Sequence, residues 1–212
     1  MLSPVVVLLD CDFNDLSQRL AQFIEHGQFI CLDEKNKKWI GASPCFRLVL
    51  HKPQPKGQWT SQVCVSLNNS GHSYCIGMYS FMSGKHSQEF VHLADVFKFA
   101  VDSARRAHGD CPIIAADSYY MCKEARHCLR KWKVPYHVSV GSQRIPSDIA
   151  SRLQRKVQSH GMWAACHDGI HGETILHYWD PDPEIGKKYL LSTILKRKEG
   201  NNPQVLQCWL DI

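Results

Sequence analysis

Two acids follow apolar runs at places where a carboxylate can do chemistry. Asp33 comes directly after "FICL" and Asp117 directly after "CPIIAA". An acid ending a buried strand has two ordinary uses. It accepts backbone N–H groups as the cap of a following helix, or it offers hard oxygens to magnesium or manganese. Where two such strands are neighbours in a mixed sheet, their acids project into one cavity. Two metal ions held that way serve in-line phosphoryl transfer. Spacing alone leaves both uses open, and Asp117 does precede a helix-forming segment.

Other clusters carry less. "CHDGIHGE" at 166–173 offers Cys166, His167, His171 and Glu173, ligand types that suit zinc when four converge. Their spacing is poor, and the glycines favour a hairpin turn. "SGKHS" at 83–87 lacks the upstream glycine of a phosphate loop and is set aside. His127 and Cys128 stand at neither three nor four residues from Cys122 in a way that builds one face, and they read as ordinary helix composition. Basic residues form three groups. Lys123, Arg126, Arg130, Lys131 and Lys133 lie on and after the helix beyond Asp117, Arg152, Arg155 and Lys156 form a second group, and Lys196, Arg197 and Lys198 a third. Such groups either contact nucleic-acid phosphates or are solvated helix faces. The tryptophans are spread out as core or edge aromatics.

The elements that must position these residues follow from pattern. Residues 13–26 place Leu16, Leu20, Phe23 and Ile24 on one helical face, with Asn14 or Asp15 as the cap. "FICLDE" reads as a short strand ending in two acids. Segments 45–51, 60–68 and 74–81 read as an antiparallel meander. Residues 87–109 have the helical period, with Phe90, Leu93, Ala94, Phe97, Ala100 and Val101 on one stripe, Ser87 as the cap and Gly109 at the far end. "CPIIAAD" then reads as a parallel strand buried on both faces. A helix, the strand "PYHVSV", a helix from "PSDIASRLQRKVQS", a hairpin over 161–181 and the strand "KYLLSTIL" complete the order. Antiparallel strands followed by crossover helices predict an α/β mixed sheet.

Bulk properties bound the class. The chain has 212 residues, 44% of them hydrophobic, and a formal charge of +5, which permits a polyanionic partner without demanding one. No apolar run reaches the roughly 18 residues of a membrane span. The apolar start lacks a basic lead-in and meets Asp10 and Asp12 at once, which argues against a secretory signal. Ten scattered cysteines with no C-x-x-C pair fit a reduced intracellular chain better than a disulfide framework.

In order and approximate spacing, residues from about 20 to 195 resemble the catalytic domain of piggyBac-type transposases. "FICLDEKNKKWIGASPCFRLVLHKPQPKG" resembles its opening: an Asp-Glu pair, a loop, a Cys-Pro or Pro-Cys element, an Arg-bearing strand and a Lys-Pro turn. "CPIIAADSYYMCKEARHCLRKWKVPYHVSVGSQRIP" resembles a second segment. There a strand ends in Asp, aromatics and a helix follow, and a further strand leads to a Gly-x-x-Arg turn and Ile-Pro. "HDGIHGETILHYWDPDP" and "KKYLLSTI" resemble the hairpin and the Leu-Leu-Ser strand that come next.

The resemblance implies a ribonuclease H-like α/β fold, three antiparallel strands then parallel strands flanked by helices. It implies one domain over 1–212, with a helical lead-in at 1–28, the matched core at 29–195 and a tail at 196–212. The implied activity is metal-dependent DNA cleavage and strand transfer through three aspartates. Asp33 matches the first acid and Asp117 the second, together ligating magnesium or manganese. DNA is the implied partner, with Lys123, Arg126, Arg130, Lys131 and Arg144 as contact candidates, and the nucleus is the implied location. Ser118 replaces the family's Asn, and Met121 and Cys122 stand where small hydroxylated residues are common. The third acid belongs to a Gly-Gly-Val-Asp-like segment beyond the Leu-Leu-Ser strand. The sequence reaches Ile212 without one, and Asp211 in "CWLDI" has the wrong context. The expectation is a transposase-derived domain that does not complete transposition alone. The alternative is a non-catalytic module that binds DNA or protein.

Overall fold

Ile30 and Leu32 are buried while Asp33 and Lys35 are exposed, so a period of two organises the first long strand. A computed structural model describes residues 4–24, 26–38, 46–48, 56–67, 72–80, 89–109 and 113–194. They fall into two units, Met1–Pro112 and Ile113–Ile212. The expected cap at Ser87, the third basic group and the segment "QVLQCWLDI" lie outside the described residues.

In the first unit, β1 (His26–Lys38), β2 (Phe46–Leu48), β3 (Lys56–Leu67) and β4 (Ser73–Ser80) pair antiparallel around β3. The predicted meander of β2, β3 and β4 is present. β1 is longer than its apolar run. It continues through Asp33 to Lys38 because the long β3 supplies a ladder along its whole length, with Asp33 opposite Gln62 and Lys38 opposite Gly57. Asp33 therefore sits inside a strand, not at its end.

Helix α2 (Glu89–His108) buries Leu93, Val96, Phe97, Ala100, Val101 and Ala104, close to the predicted stripe. It ends at Gly109, whose φ of +74° is the left-handed conformation that suits glycine past a helix end. Gly77 on β4 admits the Phe99 ring of α2. A Cβ at that position would lie 2.8 Å from the ring.

Helix α1 (Pro4–Ala21) departs from expectation twice. It begins well before Asn14, so the apolar opening is helical and Asn14 is internal. It also presents the opposite face. Leu16, Leu20 and Phe23 are 58%, 47% and 86% exposed, while Ser17, Gln18 and Ala21 are buried. Directional polar contacts decide this. Asn14 accepts the Met78 N–H at 2.7 Å and donates to the Met78 carbonyl at 3.0 Å, acting as a surrogate strand partner for β4. Gln18 donates to the Ser103 hydroxyl of α2 at 3.3 Å.

In the second unit the strand order is β5 (Ile113–Ala116), β6 (Tyr136–Val140), β9 (Lys187–Ser192), β8 (Glu173–Trp179), β7 (Trp163–Asp168). β5 and β6 are parallel, joined through α3 (Lys123–Lys131), and the remaining pairs are antiparallel. β5 is buried at three of its four residues, as an apolar parallel strand should be. β6 is followed by α4 (Ser147–Lys156) after a 3-10 turn at Ser142–Arg144. Ile114, Tyr120, Leu129, Tyr136, Val138, Leu176 and Leu190 form the core.

The β7–β8 connection is the predicted hairpin. Asp168 accepts the Ile170 N–H at 2.9 Å and pairs with His171 Nδ1 at 2.7 Å, and Gly172 turns at φ +64°. Glu173 turns its carboxylate into the unit, where Arg126, Arg130 and Tyr136 bind it.

Candidate functional site

Asp117 directly follows β5 and is exposed. It does not cap α3. That cap is Cys122, whose sulfur accepts the Ala125 N–H at 3.3 Å. Asp117 Oδ1 instead accepts the Tyr119 N–H at 2.8 Å, a local turn that fixes the carboxylate at the strand end. Arg144 stiffens the same loop from outside, donating Nη1 to the carbonyls of Ser118 and Met121. This is the structural work of the Gly-x-x-Arg turn, which closes with an Arg144 N–H to Gly141 carbonyl bond of 3.0 Å.

Asp117 opens onto a cavity of about 610 Å³ whose walls include Ser139, Gln154, His177, Lys187 and Lys188. That volume is within the range of ligand clefts, about 300–1,000 Å³. His177 is 1% exposed and stacks on Tyr189 at 4.1 Å between ring centres. Its Nδ1–H donates to the Lys188 carbonyl at 3.0 Å, which leaves Nε2 as an acceptor. Burial, reinforced by the Lys187 charge, pulls the His177 pKa below its ordinary value, so the imidazole is neutral at pH 7. Neither Nε2 nor the Tyr189 hydroxyl has a hydrogen-bond partner among the described residues. Lys187 rests its ammonium over Trp179 at 4.1 Å. The cavity wall thus includes Asp117, His177 and the start of β9, where Lys187 and Lys188 send their side chains to opposite faces of the strand.

Asp33 belongs to the first unit. It is exposed on β1, and its Oδ1 accepts the N–H of Glu34 at 2.8 Å. Both aspartates are hard oxygen donors at the surface. Magnesium keeps most of its waters and takes carboxylate oxygens, a ligand type that each aspartate offers within its own unit. No group of three or more His, Cys, Asp or Glu side chains able to hold a metal occurs among the described residues.

The basic candidates divide. Lys123 and Lys131 are exposed on α3. Arg126 and Arg130 are committed elsewhere: both bind the fully buried Glu173, with Arg130 Nη2 at 2.6 Å and Arg126 Nε at 2.9 Å from Oε2. The Tyr136 hydroxyl donates to the same carboxylate. Burial alone would raise the Glu173 pKa. The hydrogen bonds from Arg130, Arg126 and Tyr136 reverse that and bring it to about 2. Two of the expected phosphate contacts are therefore a packing device holding α3 on the sheet.

Sequence reading singled out neither His177 nor the two lysines. The available signal was a histidine inside the apolar run "TILHYW", facing "KKY" on the next strand. Only the β8–β9 register, with His177 opposite Tyr189, turns it into a cavity wall.

No family model matches the chain, and no curated protein matches it. Solved structures do. The cryo-EM structure of a piggyBac transposase synaptic complex with hairpin DNA aligns with a TM-score of 0.65 at 20% identity, covering 88% of this chain and 38% of that one. The catalytic domain of human endonuclease V aligns with a TM-score of 0.43 at 11% identity, over 90% of this chain and 82% of that one. Ciona intestinalis endonuclease V bound to inosine-containing DNA aligns with a TM-score of 0.41 at 11% identity, over 90% and 83%. The fold is that of the ribonuclease H-like class, mixed sheet flanked by helices, as its likeness to the transposase establishes. The chain spans well under half the length of that transposase.

Proposed function

We propose that this chain is a DNA-processing domain derived from a piggyBac-type transposase, ancestrally built for metal-dependent strand cleavage and transfer and retaining cleavage without full transposition. The observation that carries the reading is the likeness, at a TM-score of 0.65 over 88% of the chain, to a transposase whose structure contains hairpin DNA. The ordered sequence resemblance, with Asp117 at the end of β5 beside a cavity, supports it.

In this reading Asp33 and Asp117 hold magnesium or manganese, which supplies charge neutralisation at the phosphate and activation of the attacking oxygen. Lys187 and Lys188 attract the phosphate backbone. Lys123 and Lys131 extend that field along α3. His177 accepts a proton or hydrogen bond at Nε2, and Arg144 holds the Asp117 loop in position. The place of action is the nucleus.

The test is nicking of supercoiled plasmid with magnesium or manganese by the full chain, Asp33→Ala and Asp117→Ala, with DNA binding followed by fluorescence anisotropy. Nicking by the parent chain alone, with binding retained in all three, is the expected result. Equal, metal-independent binding in all three with no nicking defeats the catalytic reading and leaves a non-catalytic binding module.

A further inference from the structure

Three strands of the first unit bring three cysteines into one row. Cys31 on β1 lies opposite Cys64 on β3, and Cys64 lies opposite Cys75 on β4. All three are half-buried. Directly opposed residues of antiparallel strands have Cα atoms about 4.5–5.5 Å apart. A disulfide spans about 4.4–6.8 Å between Cα atoms, so strand pairing already meets its main geometric demand.

The two neighbours of Cys64 are not equivalent. Cys75 is the neighbour with the largest effect on the Cys64 thiol, raising its pKa, and Cys75 itself donates to the Gly77 carbonyl at 3.3 Å. The β3–β4 register shifts between Val63 and Cys64, an irregularity that adds local twist where the two thiols meet. We propose that Cys64 and Cys75 form a reversible cross-strand disulfide by exchange with low-molecular-weight disulfides such as glutathione disulfide. The bond staples β3 to β4, the strand on which Asn14 anchors α1.

The order of events follows from the thiol contact. Contact with Cys75, together with burial, raises the Cys64 pKa, which makes Cys64 the slower nucleophile of the pair. Cys75 is the first attacker. After losing its proton it attacks one sulfur of glutathione disulfide, forming a mixed disulfide and releasing one glutathione thiolate. Cys64 then loses its proton, attacks the Cys75 sulfur and releases the second. The two protons lost by the cysteines end on the two glutathione thiols, and one disulfide is consumed for each formed.

Trypsin separates the outcomes. Cleavage after Lys56 and Lys85 places Cys64 and Cys75 in one peptide, 57–85, while Cys31 falls in peptide 20–35. The full chain is equilibrated with graded glutathione and glutathione disulfide, alkylated and digested without reductant. Peptide 57–85 is expected unalkylated and lighter by two hydrogens, reverting to a doubly alkylated form after reduction. Cys64→Ser is expected to trap Cys75 as its glutathione adduct, whereas Cys75→Ser leaves Cys64 unmodified. Peptide 57–85 linked to 20–35 overturns the assignment. So does doubly alkylated 57–85 at ratios where the other cysteines have already reacted.

Discussion

Arg144 donates its guanidinium to the carbonyl of Ser118, 26 residues earlier in the chain. The contact fixes the residue after Asp117 from a separate turn, and the bond to Met121 secures the far end of the same loop. The carboxylate at the cavity mouth is thus held from two sides, by its own turn and by an arginine that reaches in.

Replacing Arg144 with Ala should loosen this loop without unfolding the sheet. Charge-assisted hydrogen bonds contribute about 1.5–3 kcal/mol, so the Tyr119 amide should exchange with solvent at least roughly ten times faster. Amides of β6 should keep their protection. Hydrogen exchange read residue by residue checks both, and unchanged exchange at Tyr119 would contradict the positioning role.

Glu173→Gln should be among the most damaging single changes. It leaves Arg126 and Arg130 facing a neutral amide inside the unit, and breaking a buried pair costs about 3–5 kcal/mol. The guanidinium groups keep about a quarter of their surface, 26% and 28%, which favours the lower end. Urea unfolding measures it. Below pH 4.5 the parent chain should lose the same stabilisation, because a folded pKa of about 2 lies under the ordinary value. The loss runs as pH falls from about 4.5 toward 2.

His137 predicts a second, earlier acid transition. It is 1% exposed on β6, and burial lowers its pKa to about 4. The unfolded chain binds this proton more readily, so stability should fall as pH drops from about 6.5 to 4. The full difference is about 3 kcal/mol. His137→Gln should flatten the stability profile in that window and leave the lower one intact, as thermal or urea melts across pH 4–7 would record.

Gly77→Ala should destabilise the first unit by about 1–3 kcal/mol, the usual penalty for overfilling a packed contact. The added methyl meets the Phe99 ring, itself 5.7 Å from Tyr79 between ring centres. Phe99→Leu in the same chain should recover part of the loss. Denaturant midpoints of the two single variants and the double variant decide it.

Much of the architecture was legible because it rests on local pattern. The apolar run "PIIAA" could only be a strand buried on both faces, and Asp117 stood at its end. The stripe of α2, its terminal Gly109 and the glycine turn of the β7–β8 hairpin each follow from the period or the backbone freedom of a few consecutive residues. Where contacts between distant segments compete with that pattern, local reading fails. The apolar face of α1 points outward because Asn14 and Gln18 find partners on β4 and α2. β1 runs past its apolar core because β3 offers it a ladder.

By itself, then, the sequence determined the order and type of most elements, the acid at the end of β5 and the α/β mixed-sheet class, since burial period and turn chemistry are written over short stretches. Only the tertiary structure decided what the side chains do. Strand register set His177 against Tyr189 and Cys64 against Cys75. The docking of α3 turned Arg126 and Arg130 from surface cations into partners of Glu173. Register and docking depend on which distant segments pair, and a shift of one residue exchanges every inward side chain for an outward one.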